Sequence, residues 1–223
     1  MRELERVFSE PGFEGAINPN GAASFRRHRQ FGSAAAVAES DSLRAVLRAS
    51  GVWAYSAEGS MYYDLSLSTL VERSAPFIST AMRAYLEMDA VEQARPSASD
   101  GSFMVPRDVV IERIVAAEQF LDRFPQASQA REVAHNRNRY VTWLLYPSVN
   151  FGGFSAGRVL EADARRAMER LATERASYPS GRAAVEMLDL LRANGYRRSP
   201  AVDSMISRKW RELHDQGVQA RRQ

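Results

Sequence analysis

The stretch Pro106-Arg107-Asp108-Val109-Val110-Ile111-Glu112-Arg113-Ile114-Val115-Ala116-Ala117-Glu118-Gln119-Phe120-Leu121-Asp122-Arg123-Phe124-Pro125 decides the fold. Its apolar residues Val110, Ile114, Ala117, Leu121 and Phe124 step by 4, 3, 4 and 3, which draws one continuous stripe along an α-helix and none along a strand. Proline is tolerated in a first helical turn but cannot continue a helix, so Pro106 opens this one and Pro125 ends it. Such a stripe must be covered by other helices.

Working outward, the same period returns on both sides. Ser33 to Ser50 reads as a helix with Val37, Leu43, Val46 and Leu47 inward, stopped by Gly51. Leu65 to Arg73 reads as a short helix, and Pro76 as a first-turn residue of a helix reaching about Ala94. That helix should bury Ile78, Met82, Tyr85, Leu86 and Val91. Ser128 is a candidate cap for a helix with Val133, Ala134, Arg137, Tyr140 or Val141, and Leu144 inward. Val159 to Tyr178 is amphipathic through Leu160, Ala164, Ala167, Met168 and Leu171. Gly181 to Asn194 should end at Gly195, and Ser199-Pro200 starts a last helix finishing near Gly217. Only Val52 to Asp64 looks strand-like: two aromatic-rich runs flank Ala57-Glu58-Gly59-Ser60, as in a short hairpin.

Two turns share a design. Phe124-Pro125 with Ser128, and Tyr178-Pro179 with Ser180, each predict a helix that ends at an aromatic-proline pair, a serine cap and a returning antiparallel helix. This turn, an aromatic-proline pair with a serine one to three residues further on, over about 106–195, resembles the tetratricopeptide-like helix pairs of bacterial envelope proteins such as outer-membrane assembly lipoproteins. The two prolines lie further apart than the about 34 residues of a regular repeat, and the Gly and Tyr positions of the full consensus are missing. The resemblance implies a scaffolding role and a periplasmic or envelope-associated location; the alternative is cytoplasmic.

The expected fold is therefore all-α, with antiparallel, tetratricopeptide-like helical hairpins over 34–217. Residues 1–33, broken by Pro11, Gly12, Gly15, Pro19 and Gly21, form an irregular arm packed on that domain, and 218–223 a frayed basic tail. The chain has 223 residues, 45% hydrophobic and 26% charged, enough apolar side chain for a sizeable core. Lys209 is its only lysine, so the basic side is arginine, which pairs readily with the 27 acidic residues. No run of about 18 apolar residues exists, so no transmembrane segment is expected. The start, Met1-Arg2-Glu3-Leu4-Glu5, has no apolar signal core, which leaves a cytoplasmic chain or a removed targeting segment.

Several chemistries are excluded or disfavoured. With no cysteine there is no disulfide, thiolate metal site or thiol nucleophile. Glu132-Val133-Ala134-His135 is a Glu-x-x-His step, but a carboxylate-bridged metal pair needs a second one, and none exists. There is no phosphate loop or dinucleotide fingerprint, and Gly153-Phe154-Ser155-Ala156-Gly157, although spaced as a Gly-x-Ser-x-Gly elbow, falls in a glycine-rich loop and not between a strand and a helix. The arginine pairs are scattered among acids, which points to a solvated charged face and not to nucleic acid. No cofactor and no metal are expected.

The candidate binding residues are Trp53, Tyr55, Glu58, Tyr62, Tyr63 and Asp64, aromatics beside carboxylates on a non-helical segment. A bland reading competes: the rings fill a seam beside the first helix. The loop Tyr146 to Phe154, with Asn150 among aromatics, is a second candidate. The sequence points to a non-enzymatic protein-protein interaction or scaffolding module whose partner is another protein. The alternative is an enzyme or ligand-binding protein with a pocket between the 1–64 segment and the helical repeats.

Overall fold

In a computed structural model the described residues are 45–57, 60–99, 102–147 and 151–221. The expected arm 1–33, most of the first helix, and Glu58 and Asn150 lie outside them. The chain is mostly helical with one six-residue-per-strand hairpin, and it divides into two compact units, Met1–Ile78 and Ser79–Gln223.

In the first unit a helical turn at 45–49 buries Leu47 and leaves Val46 exposed, because consecutive helical residues point about 100° apart. Gly51 ends it at φ +82°, a conformation that favours glycine. The hairpin follows as predicted: β1 (Val52–Ala57) pairs antiparallel with β2 (Ser60–Leu65), and α1 (Leu67–Ser74) comes next. Ser66 closes the ribbon by donating its amide to the Gly51 carbonyl at 2.7 Å, and Arg73 donates to the Ala49 carbonyl at 3.1 Å.

The second unit begins with α2 (Thr80–Ala94). Here the start at Pro76 is corrected: Ser79 is extended and its hydroxyl accepts the Met82 amide at 3.1 Å, so the side-chain cap sets the first turn and Pro76 lies in the turn before it. The expected burial is corrected too. None of the α2 residues is fully buried, and Val91 is 57% exposed. After α2 comes a ribbon of two residues per strand, β3 (Ala98–Ser99) with β4 (Ser102–Phe103).

α3 (Arg107–Arg123) follows Pro106 and buries Val110, Ile111, Ile114, Ala117 and Phe120, with Leu121 and Phe124 half-buried. It packs on α4 (Ala130–Leu145), whose Val133, Tyr140, Val141 and Leu144 are buried. α5 (Ala162–Glu174) packs likewise on α6 (Pro179–Ala193), and α7 (Pro200–Arg221) lies against α4 and α6. The main core joins α3 to α7 through Ile114, Leu145, Met168, Leu171, Met187 and Val202.

Both serine caps fail, for different reasons. Gln129, not Ser128, is the residue before α4, and no side chain caps that helix. At the second turn Pro179 opens α6 instead of closing α5, after Tyr178 in an extended conformation; Ser180 is thus inside the first turn and buried. The C-terminal end of α6 is as expected. Asn194 precedes Gly195 at φ +62°, the Tyr196 amide bonds the Leu191 carbonyl at 2.7 Å and the Gly195 amide bonds Arg192 at 3.1 Å, the double closure that terminates helices at a left-handed residue. Ser199 caps α7, accepting the Val202 amide at 3.4 Å. α7 runs past Gly217, because one glycine costs a helix only about 1 kcal/mol relative to alanine.

Candidate functional site

The sequence-selected aromatics are on the hairpin. Its register sets Trp53 opposite Asp64 and Tyr55 opposite Tyr62, positions of one parity, whereas Tyr63 stands opposite Ala54 on the other. Trp53 and Tyr63 therefore do not share a face of the ribbon. Trp53 is half-buried, with the Arg48 guanidinium 4.9 Å from its ring centroid. Asp64 accepts the Leu65 amide at 2.7 Å. Tyr63 is 39% exposed, and burial raises its pKa.

The second aromatic candidate is corrected. Tyr146 and Phe151 are buried, not exposed. Phe151 stacks on Trp143 at 5.2 Å, meets Phe103 edge-on at 5.2 Å and lies 5.9 Å from Trp210. Trp210 donates its indole N–H to the Tyr146 carbonyl at 2.8 Å. These rings seat the 151–160 segment on α4 and α7.

A feature missed by the sequence reading is a groove of about 490 Å³ where α2, α3 and α4 meet. α2 contributes Ala84, Met88 and Val91, and α3 contributes Val109, Phe120 and, just past its end, Phe124. Because α2 buries none of its residues fully, this apolar surface remains open.

A polar hub holds the groove's end. Glu92 of α2 accepts the Ser97 amide and hydroxyl, each at 2.8 Å, and the Tyr140 hydroxyl at 2.9 Å. Arg113 of α3 pairs with the same carboxylate, bonds the Ser97 hydroxyl and donates to the Arg95 carbonyl. So many donors on one carboxylate make a fastener between helices, not a proton-transfer group. Burial, with the Glu92 charge behind it, pushes the Tyr140 hydroxyl up to about 12.

Asp89 lines the groove near this hub. Burial raises its carboxyl above the ordinary aspartate value, and the charges of Glu132 and Glu92 add to that, against the Tyr85 hydroxyl and Arg139. Tyr85 is pushed far up, first by burial and then by its hydrogen bond to Asp89. Glu87 and Glu112 also line the groove; Arg113 is neutralised by Glu92, which leaves Arg123 as the only cation there without a carboxylate of its own among the described residues. Glu87 is itself paired with Arg83 at 2.8 Å, so Asp89 and Glu112 stand on the walls against Arg123.

Among the described residues no group of three or more His, Asp or Glu side chains is placed to hold a metal ion. His135 is half-buried on α4 and His214 exposed on α7. No described helix is long and apolar enough to cross a membrane. One signal could have flagged the hub: Arg113 sits beside Ile114 on the apolar stripe of α3, where a charge must find a partner. No protein-family model, curated protein or solved structure matches the chain.

Proposed function

We propose that the chain is a non-enzymatic helical-hairpin module that binds another protein, and that an amphipathic helix of the partner lies in the α2–α3–α4 groove. The observation that carries this is the open apolar groove itself, with Val91 largely exposed beside Met88 and Phe124. Helical clefts of this kind accept the apolar face of a helix through residues spaced i, i+3, i+4 and i+7. Asp89 and Glu112 on the walls favour arginine or lysine flanking that apolar stripe.

A scaffolding role in the bacterial cell envelope belongs to the same proposal. It rests on the Phe124-Pro125 and Tyr178-Pro179 turns and on the α3/α4 and α5/α6 pairs they connect. The arginines support a protein partner over nucleic acid. Arg83, Arg107, Arg165, Arg170, Arg192 and Arg198 are each engaged by a carboxylate.

Selection of peptides from a displayed random library on the purified chain tests the reading. Enriched peptides should carry apolar residues at helical spacing together with Arg or Lys. The Val91→Asp substitution should weaken their binding at least tenfold, as loss of a central apolar contact does. Val185→Asp on the exposed side of α6 should leave binding unchanged. Peptides that bind the Val91→Asp chain as well as the parent would overturn the proposal.

A further inference from the structure

A second pocket, of about 170 Å³, lies where α4, α6 and α7 converge. Its lining carries several polar side chains. Arg137 and Tyr146 come from α4 and its C-terminal residue, Ser180 from the first turn of α6, and Lys209 and Glu212 from α7. It is separate from the groove, and the partner reading does not depend on it.

Two observations at this pocket call for a ligand. The Tyr146 hydroxyl and the Ser180 hydroxyl are both buried and neither has a hydrogen-bond partner, although each residue is only 2% exposed. A buried hydroxyl left unbonded costs about 1–3 kcal/mol, so two of them lining one small pocket favour a polar partner there.

The charges say what sign it has. The charges of Glu186 and Glu212 reach the Tyr146 hydroxyl, but each is matched by a cation: Lys209 pairs with Glu212 at 3.2 Å and Arg208 with Glu186 at 3.5 Å. Arg137 has no carboxylate partner among the described residues, and its guanidinium donates only to the Asn138 side-chain oxygen, at 3.1 and 2.8 Å. Burial lowers its pKa, against the more distant Glu118 charge. Pro179 has no amide hydrogen, and the Ser180 amide is among the first-turn donors that lack an intrahelical acceptor. The positive end of a 15-residue helix therefore faces the same side as an unmatched guanidinium and two hydroxyl donors.

We propose that the α4–α6–α7 pocket binds a small oxyanion, held by the Arg137 guanidinium, the Ser180 amide and hydroxyl, and the Tyr146 hydroxyl. The volume admits inorganic phosphate or a short carboxylate.

The test is titration of the full chain with inorganic phosphate and, in parallel, with malonate, at constant ionic strength, followed by calorimetry and by amide chemical shifts. The expected result is saturable one-to-one binding of at least one anion, with the shifts centred on Ser180 and Arg137. The anion that binds at least tenfold tighter names the source. Ser180→Ala and Arg137→Gln should each weaken binding about tenfold or more. Tyr146→Phe, which removes only the hydroxyl, should weaken it while leaving the far-ultraviolet spectrum unchanged. Absence of saturable binding by both anions overturns the proposal. So does binding that the folded Ser180→Ala and Tyr146→Phe chains retain in full.

Discussion

Glu118→Leu alone is expected to destabilise the 79–223 unit by about 3–5 kcal/mol, far more than an ordinary exchange of one buried side chain for another. Glu118 is 1% exposed on the apolar stripe of α3, and its one bond is to the Arg175 guanidinium at 2.8 Å, across from the end of α5. Arg175 is itself largely buried. Removing the carboxylate strands a guanidinium in a place water hardly reaches, and that desolvation is the cost. The double change Glu118→Leu with Arg175→Met should behave quite differently. The pair is poorly satisfied: one Glu118 oxygen and one Arg175 nitrogen are buried without partners. Replacing both halves with apolar groups removes those orphans and forfeits the stacking of Arg175 on Tyr178, 3.5 Å from the ring centroid. The net change should be within about 1 kcal/mol of the parent. Urea unfolding of the two single variants and the double reads this directly. A double variant as unstable as the sum of the singles would refute the account.

Gly181→Ala is the second large effect, and it reverses the usual sign. Within a helix, alanine normally exceeds glycine by about 1 kcal/mol. At Gly181 an added Cβ would fall on the Arg175 carbonyl and lie 2.8 Å from the Ala176 amide nitrogen. These are backbone atoms of the turn between α5 and α6, and they cannot swing aside as a side chain can. The helices must move apart, and the expected loss is about 3 kcal/mol or more, the upper end of overpacking costs. Gly195 is the fair contrast. It has φ +62° with open space around its Cα, so alanine there meets only backbone strain of about 1–2 kcal/mol. Thermal melts of the two variants should rank Gly181→Ala well below Gly195→Ala. The reverse order would mean that the close approach does not hold the hairpin.

The sequence made the periodic elements legible. The stripe from Val110 to Ala117, the residues Ala164 to Leu171 and the Gly195 terminus all depend on local spacing and are found where spacing placed them, whereas Leu160 lies before α5 in a bridge to Phe154. Helix starts were less legible, because Pro179 is equally compatible with ending α5 and opening α6. What decided between them was a contact, the approach of Gly181 to Arg175, which no local pattern carries. Ser79 likewise outcompeted Pro76 through one hydrogen bond. The groove was invisible for another reason. Met88, Phe120 and Tyr140 belong to three helices, and α2 carries apolar residues that look inward by period and yet stay partly uncovered. The aromatic hairpin was found as a ribbon, but the alternation of its faces separates Tyr63 from Trp53.

The sandwich of Phe151 between Trp143 and Trp210 gives the 79–223 unit its own optical gauge. Trp53, the remaining tryptophan, belongs to the other unit. Two indoles flanking one phenyl ring share an asymmetric environment, so their near-ultraviolet dichroism tracks whether the 151–160 segment is seated. Far-ultraviolet signal tracks the helices themselves. Divergence of the two on heating would date the release of that segment against the melting of its scaffold.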